Sequence, residues 1–190
     1  MSDEKTQLRQ SIEERIASLS EKEKAAESRT LCRELLPHIP EGSVVCAYYP
    51  MRTEVDVRPL ITELLQRGDT VFLPCFEGNK LIYRQMVDEN QMHTGVLGNK
   101  EPLQSAPELN TEDADIVLVP GRAFDASGNR LGRGNGGYDI WIQKQRKNNL
   151  PLHFIGVALE CQMVRQVPMD AHDEKLDAVA TARGVLETRN

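Results

Sequence analysis

Residues 115–139 read DIVLVPGRAFDASGNRLGRGNGGYD. The opening five, DIVLV, form a continuous β-branched apolar run closed by Pro120 and Gly121, the pattern of a strand buried on both faces. Gly128, Gly132, Gly134, Gly136 and Gly137 then supply five of the chain's 13 glycines. Glycine is costly in backbone entropy, so this density needs a cause. A backbone that turns its N–H groups toward phosphate oxygens is such a cause. A helix is expected over residues 138–147, and its N-terminal dipole would face the same anion. Arg130 and Arg133 would add charge-assisted hydrogen bonds. No Gly-Lys-Ser/Thr closes the loop, so it is not a Walker A loop. Gly132, Gly134 and Gly137 satisfy G-x-G-x-x-G, and Glu160 after the next strand could serve as a ribose partner, as in a dinucleotide oxidoreductase. Residues 120–131 separate Val119 from Gly132, however, whereas the dinucleotide glycines belong in the strand–helix turn itself.

Outward from this stretch, apolar runs alternate with helical spacing. Leu8, Ile12, Ile16 and Leu19 share one face of a helix over residues 4–19. Ser20 and Glu23 have capping-box spacing and start a second helix toward Pro37. Residues 43–49 (SVVCAYY) read as a strand closed by Pro50. Val57, Leu60, Ile61, Leu64 and Leu65 give a third helix ending at Gly68. Residues 70–73 form the next strand, ended by Pro74, and residues 80–86 another. Residues 88–111 are polar and carry no clear period. Beyond the glycine loop, residues 153–159 (HFIGVAL) are a buried strand and residues 178–181 a last one. This order predicts an α/β fold: a three-layer α/β/α arrangement with a mainly parallel, Rossmann-like sheet, in a single domain spanning residues 1–190. Ligands in such sheets collect beyond the carboxyl ends of the strands, here residues 50–56, 121–139 and 160–173.

The bulk composition narrows the function. Apolar residues make up 39% and charged residues 27%, with a net charge of −6. That balance argues against nucleic acid as the main partner. No apolar run approaches the ~20 residues that span a bilayer, and the N-terminus MSDEKTQLRQ has no apolar signal core. No membrane partner is expected, and the expected location is cytoplasmic. Cys32, Cys46, Cys75 and Cys161 are scattered, with no C-x-x-C pair, and are expected to be reduced, mostly buried thiols.

The run from Val119 to Asp139 resembles the signature of the 5-formyltetrahydrofolate cyclo-ligase family: Pro-Gly, then Phe-Asp, then Gly-x-Arg-Leu-Gly-x-Gly-x-Gly-Tyr-Tyr-Asp. Lys5, Leu8 and Arg9 fit the family's Lys-x-x-Leu-Arg start. Glu54 fits its glutamate after the first strand. Gln162, Val167, Pro168, Asp173 and Asp177 fit its tail. The resemblance implies ATP-dependent conversion of 5-formyltetrahydrofolate to 5,10-methenyltetrahydrofolate, with release of ADP and phosphate. It further implies ATP and Mg²⁺ as cofactors, and 5-formyltetrahydrofolate and ATP as partners. By the same resemblance, ATP would be held by Lys5, Arg9, Arg130, Leu131, Gly132, Arg133, Gly134, Asn135, Gly136, Gly137 and Tyr138. Arg133 would meet developing phosphate charge, Tyr49 and Glu54 would contact the folate, and Asp139 and Asp173 would bind Mg²⁺. Without the resemblance, Lys5 and Arg9 are also compatible with a solvated helix face, Glu54 with a loop carboxylate, Asp139 with a helix cap, and Asp173 with pairing to Lys175. A monomer is expected.

Three departures from the family pattern stand out. Gly137 replaces the first of its two tyrosines, Ile140 stands where bacterial relatives often carry arginine, and Arg122 replaces an apolar residue. The loss at Gly137 leaves a gap or room for a different ligand. It keeps open a second reading, a catalytically weak folate- or nucleotide-binding paralogue of the same fold.

Overall fold

The computed structural model describes residues 3–78, 80–95 and 98–188; the first two and last two positions of the expected 1–190 span lie outside them. Helix α1 (Asp3–Ser18) carries the predicted face, with Ile12 and Ile16 buried. Helix α2 (Glu21–Leu35) starts at the predicted box: the Ser20 side chain accepts from the Glu23 amide, and the Glu23 carboxylate accepts from the Ser20 amide. Strand β1 (Val44–Cys46) leads to α3 (Arg58–Arg67), which ends on Gly68 in the left-handed region, as its sequence predicts. Strands β2 (Thr70–Glu77), β3 (Lys80–Gln85), β4 (Met92–Thr94), β5 (Lys100–Pro102), β6 (Ile116–Pro120), β7 (Ala123–Phe124) and β8 (Arg130–Leu131) follow. Then come α4 (Gly137–Lys147), β9 (His153–Val157), β10 (Ala178–Thr181) and β11 (Gly184–Glu187).

The main sheet has seven strands in the order β11-β10-β9-β6-β1-β2-β3. The inner strands from β10 to β2 pair parallel, and the two edge strands pair antiparallel. The expectation of a mainly parallel sheet therefore holds, with antiparallel edges added. Alternation along the strands divides the core into two layers. Val45, Val71, Leu118 and Ile155 pack with Ile12, Leu31, Leu35 and Leu64 from α1, α2 and α3. Cys46, Phe72, Val117 and Phe154 pack with Trp141 and Ile142 of α4. Helices therefore cover both faces, and Trp141 is a packing residue.

Two boundaries differ from expectation. Strand β1 stops at Cys46, although the Ala47 amide still reaches the Phe72 carbonyl at 2.8 Å. The Tyr48 hydroxyl donates to the Val55 carbonyl at 3.1 Å, which turns the chain out of the sheet. Strand β2 runs through Pro74 to Glu77, so that proline does not end it. The missing Pro74 N–H points to the side where β1 has already ended, while β3 pairs along the other side, with Pro74 opposite Tyr83. Cys75 consequently sits buried inside a strand, as do Cys32 and Cys46 within their own elements, and all four cysteines are free.

Candidate functional site

The parallel strands end on one side, and the segments after them build a cleft there. Tyr48, Tyr49, Met51 and Glu54 follow β1, Phe76 closes β2, and Gly121 follows β6. Arg130, Gly132, Arg133, Asn135, Gly136, Tyr138 and Asp139 complete the wall. The hairpin of β7 and β8 holds the glycine stretch against the sheet. Its turn is organised by Asp125, which is 2% exposed and accepts from the Ser127, Asn129 and Val167 amides. Gly128 in that turn has φ +78°, and a Cβ there would stand 2.4 Å from the Leu176 carbonyl oxygen. Gly134 and Gly136, at φ +105° and +69°, let the chain fold back into α4. The glycines do not lie in a turn directly between β6 and a helix, because β7 and β8 intervene. Glu160, for its part, pairs with Arg183. Both facts count against the dinucleotide alternative.

The basic side chains do different work. Arg130 is 4% exposed; it donates to the Pro120 carbonyl at 3.1 Å and to Asp139 Oδ2 at 2.8 Å. Its guanidinium also lies 5.5 Å from the Tyr138 ring centroid. Leu131 is 2% exposed and its side chain serves the core, while its carbonyl accepts from the Arg122 amide at 2.7 Å. Arg133 is partly exposed and clamps Glu54: Nη2 and Nε reach Glu54 Oε1 at 2.9 and 3.2 Å. Glu54 Oε2 accepts from the Met51 amide at 2.8 Å, which fixes the carboxylate. Thr53 Oγ1 accepts from both Arg133 at 3.2 Å and Arg122 at 3.1 Å. Arg9 Nε donates to the Gly132 carbonyl at 2.9 Å, tying α1 to the glycine stretch. Burial, followed by the like charge of Arg133, holds the Arg122 pKa below its usual value, with Glu13 and Glu54 opposing and Arg9 adding repulsion. Three guanidiniums gathered this closely favour an anion.

Lys5 pairs with the segment that carries Asp170 and Asp173. It is buried and ion-paired to Asp173 and, at 2.8 Å, to Asp170. Burial alone would depress its pKa, but hydrogen bonds and charge from the two aspartates raise it. Lys5 is thus no solvated helix residue, and Asp173 pairs with it and not with Lys175. Asp139 Oδ1 accepts from the Glu174 amide at 3.3 Å, next in the chain to Asp173. Asp139 is thus bonded to the residue after Asp173, and the two carboxylates are braced separately, one by Arg130 and the other by Lys5. Tyr49 lines the cleft and donates to Glu89 Oε1 at 2.6 Å.

Gln162 braces this edge, donating to the Gly121 and Arg122 carbonyls at 2.7 and 3.1 Å. Sequence reasoning gave no role to Tyr48, Thr53, Phe76, Asn99 or Asp170. Thr53 alone carried a local signal, as the neighbour of Glu54.

A sequence model described as the 5-formyltetrahydrofolate cyclo-ligase family matches residues 1–182. The chain belongs to this family. A family member of Mycolicibacterium smegmatis, named 5-formyltetrahydrofolate cyclo-ligase, is 30% identical, with 97% of each chain covered. One of Saccharomyces cerevisiae with the same name is 30% identical over 94% of this chain and 95% of its own. The solved structure of Aquifex aeolicus 5,10-methenyltetrahydrofolate synthetase superposes with a TM-score of 0.84 at 32% identity, covering 98% of this chain and 93% of that one. Among the described residues, no helix is long and apolar enough to cross a membrane.

Proposed function

We propose that this protein, as one catalytic domain, closes the ring of 5-formyltetrahydrofolate to 5,10-methenyltetrahydrofolate at the expense of ATP. The observation that carries the reading is the convergence of Glu54, Arg133 and Asp139 on one cleft of a chain that belongs to the cyclo-ligase family. A formamide oxygen leaves poorly. In the proposed reaction it attacks the γ-phosphorus and ADP departs. N10 then attacks the activated carbon, loses its proton, and phosphate leaves with the former formyl oxygen. Such transfers ask the protein mainly for position and charge neutralisation.

The chain's own groups fit those tasks. Glu54, fixed by the Met51 amide, accepts hydrogen bonds from the pterin amino groups, and Tyr49 borders the same ligand. Arg133, Arg9 and Lys5, with the backbone from Arg130 to Tyr138, hold the triphosphate. Asp139 and Asp173 suit Mg²⁺, which takes one or two carboxylates together with phosphate oxygens. When bound, the ion would neutralise phosphate charge. Arg130 pairs with Asp139 and Lys5 with Asp173, which compensates the charge of the two carboxylates without it.

The test is an absorbance assay in the near ultraviolet with 5-formyltetrahydrofolate, ATP and Mg²⁺, omitting each in turn. Product is expected only with all three present. Gly137, where the family carries tyrosine, favours one alternative: a paralogue that binds both ligands and turns over weakly. Calorimetric binding of both without product in a single turnover would select that reading.

A further inference from the structure

Arg122 has no task in the reading above, yet the fold mounts it rigidly. The chain turns tightly after β6, where a Cβ on Gly121 would stand 2.6 Å from the Phe124 ring. The Arg122 amide donates to the Leu131 carbonyl at 2.7 Å, and the Arg122 carbonyl accepts from Gln162 Nε2 at 3.1 Å. The backbone is thus held from both sides, and the side chain is 14% exposed. Where the family pattern has an apolar residue, this chain sets a cation on a fixed, mostly buried mount.

That cation is poorly neutralised. Among the described residues its one ion pair is with Glu13 Oε1, at a long 3.7 Å, and Glu13 is 61% exposed. Glu54, the second carboxylate that acts on Arg122, is already clamped by Arg133. The short contact of Arg122 is with a neutral group: Nη1 donates to Thr53 Oγ1 at 3.1 Å. Arg133 Nη2 donates to the same oxygen at 3.2 Å. Two cations therefore converge on one hydroxyl oxygen, although like charges repel. A hydroxyl that accepts two bonds keeps its own proton to give, and among the described residues nothing accepts it from Thr53.

We infer that Arg122, Arg133 and the Thr53 hydroxyl form a binding site for a phosphate dianion: the terminal phosphoryl group of ATP and the inorganic phosphate that later leaves. The inference deepens the reading above and rests on it for the source of the group. Each guanidinium offers paired N–H donors that match phosphate oxygens, and the Thr53 O–H donates to a further oxygen. Arg122 is the fixed half of this clamp, because Gln162 and β8 hold its backbone. Arg133 is the half that Glu54 restrains. Glu13 competes with the phosphate for Arg122 and weakens its binding.

The experiment titrates the full chain with inorganic phosphate, and with ATP and ADP in the presence of Mg²⁺, by calorimetry, beside the turnover assay. Arg122→Leu, which restores an apolar residue, should weaken inorganic phosphate about tenfold, the scale of one charged hydrogen bond. It should weaken ATP similarly and hardly change ADP, which lacks the terminal group. Glu13→Gln should tighten inorganic phosphate a few fold, the scale of an exposed ion pair. Because Glu13 is exposed, that variant decides should Arg122→Leu not fold. Loss of phosphate affinity with an unchanged ratio of ATP to ADP affinity keeps the site and assigns it to the leaving phosphate alone. Phosphate affinity indifferent to both variants overturns the inference even if product forms. Phosphate affinity that both variants move, without any product, keeps the site and removes the ring-closure reading.

Discussion

At the scale of single residues, Arg133 and Glu54 hold each other before either meets a ligand. The guanidinium proposed for phosphate is occupied by the carboxylate proposed for the pterin. A pterin that engages Glu54 competes for that carboxylate and frees Arg133. Arg133→Ala should lower kcat about 100-fold or more, the scale of one lost electrostatic donor; wild-type turnover in that variant would take Arg133 out of the mechanism. Glu54→Gln should raise KM for the folate about tenfold, the scale of a charged hydrogen bond. The same variant should increase ADP release in the absence of folate, because the guanidinium is no longer restrained. If folate-independent ADP release stays at the wild-type level, the pair exerts no restraint. Much of this site was legible in the sequence, because the glycine stretch and its arginines lie within one short run. The bridge from Arg122 and Arg133 to Thr53 was not, since it joins residues 69 and 80 positions apart that only the fold brings together.

Among the elements, legibility follows the range of the forces involved. The capping box of α2 and the Gly68 stop of α3 are local hydrogen-bond patterns and were readable directly. The antiparallel edges were not, because an apolar run does not say which way its neighbour points. The excursion over residues 88–111 resisted reading because its β4–β5 pair has only three residues on each side. That pair contains a buried carboxylate: Glu101 is 3% exposed, and its Oε1 has no hydrogen-bond partner. Burial raises the Glu101 pKa, with His93 opposing. A raised folded-state pKa means that the stabilising contribution is full below the ordinary glutamate range and is lost as pH rises through the folded value. Glu101→Gln mimics the protonated form. It should leave Tm unchanged near pH 4 and raise it by a few degrees at pH 7.5. A lower Tm at pH 7.5 would mean that the charge is compensated.

Across the whole molecule, stability should grade from the middle of the sheet outward. Strands β6 and β9 pair parallel, each with a further strand on its other side, and are covered by helices on both faces. Strands β4 and β5 pair only with each other. Hydrogen exchange followed by mass spectrometry should show β6 and β9 exchanging only by global opening, and β4 and β5 exchanging many times faster. Uniform protection across both would contradict the grading.

The pairing of Lys5 with Asp173 links residues 168 positions apart. During synthesis the lysine leaves the ribosome well before the aspartate and must wait for it. A growing chain that has not yet exposed residue 173 leaves Lys5 without this counter-charge, so this side of the fold is completed only after that residue has emerged.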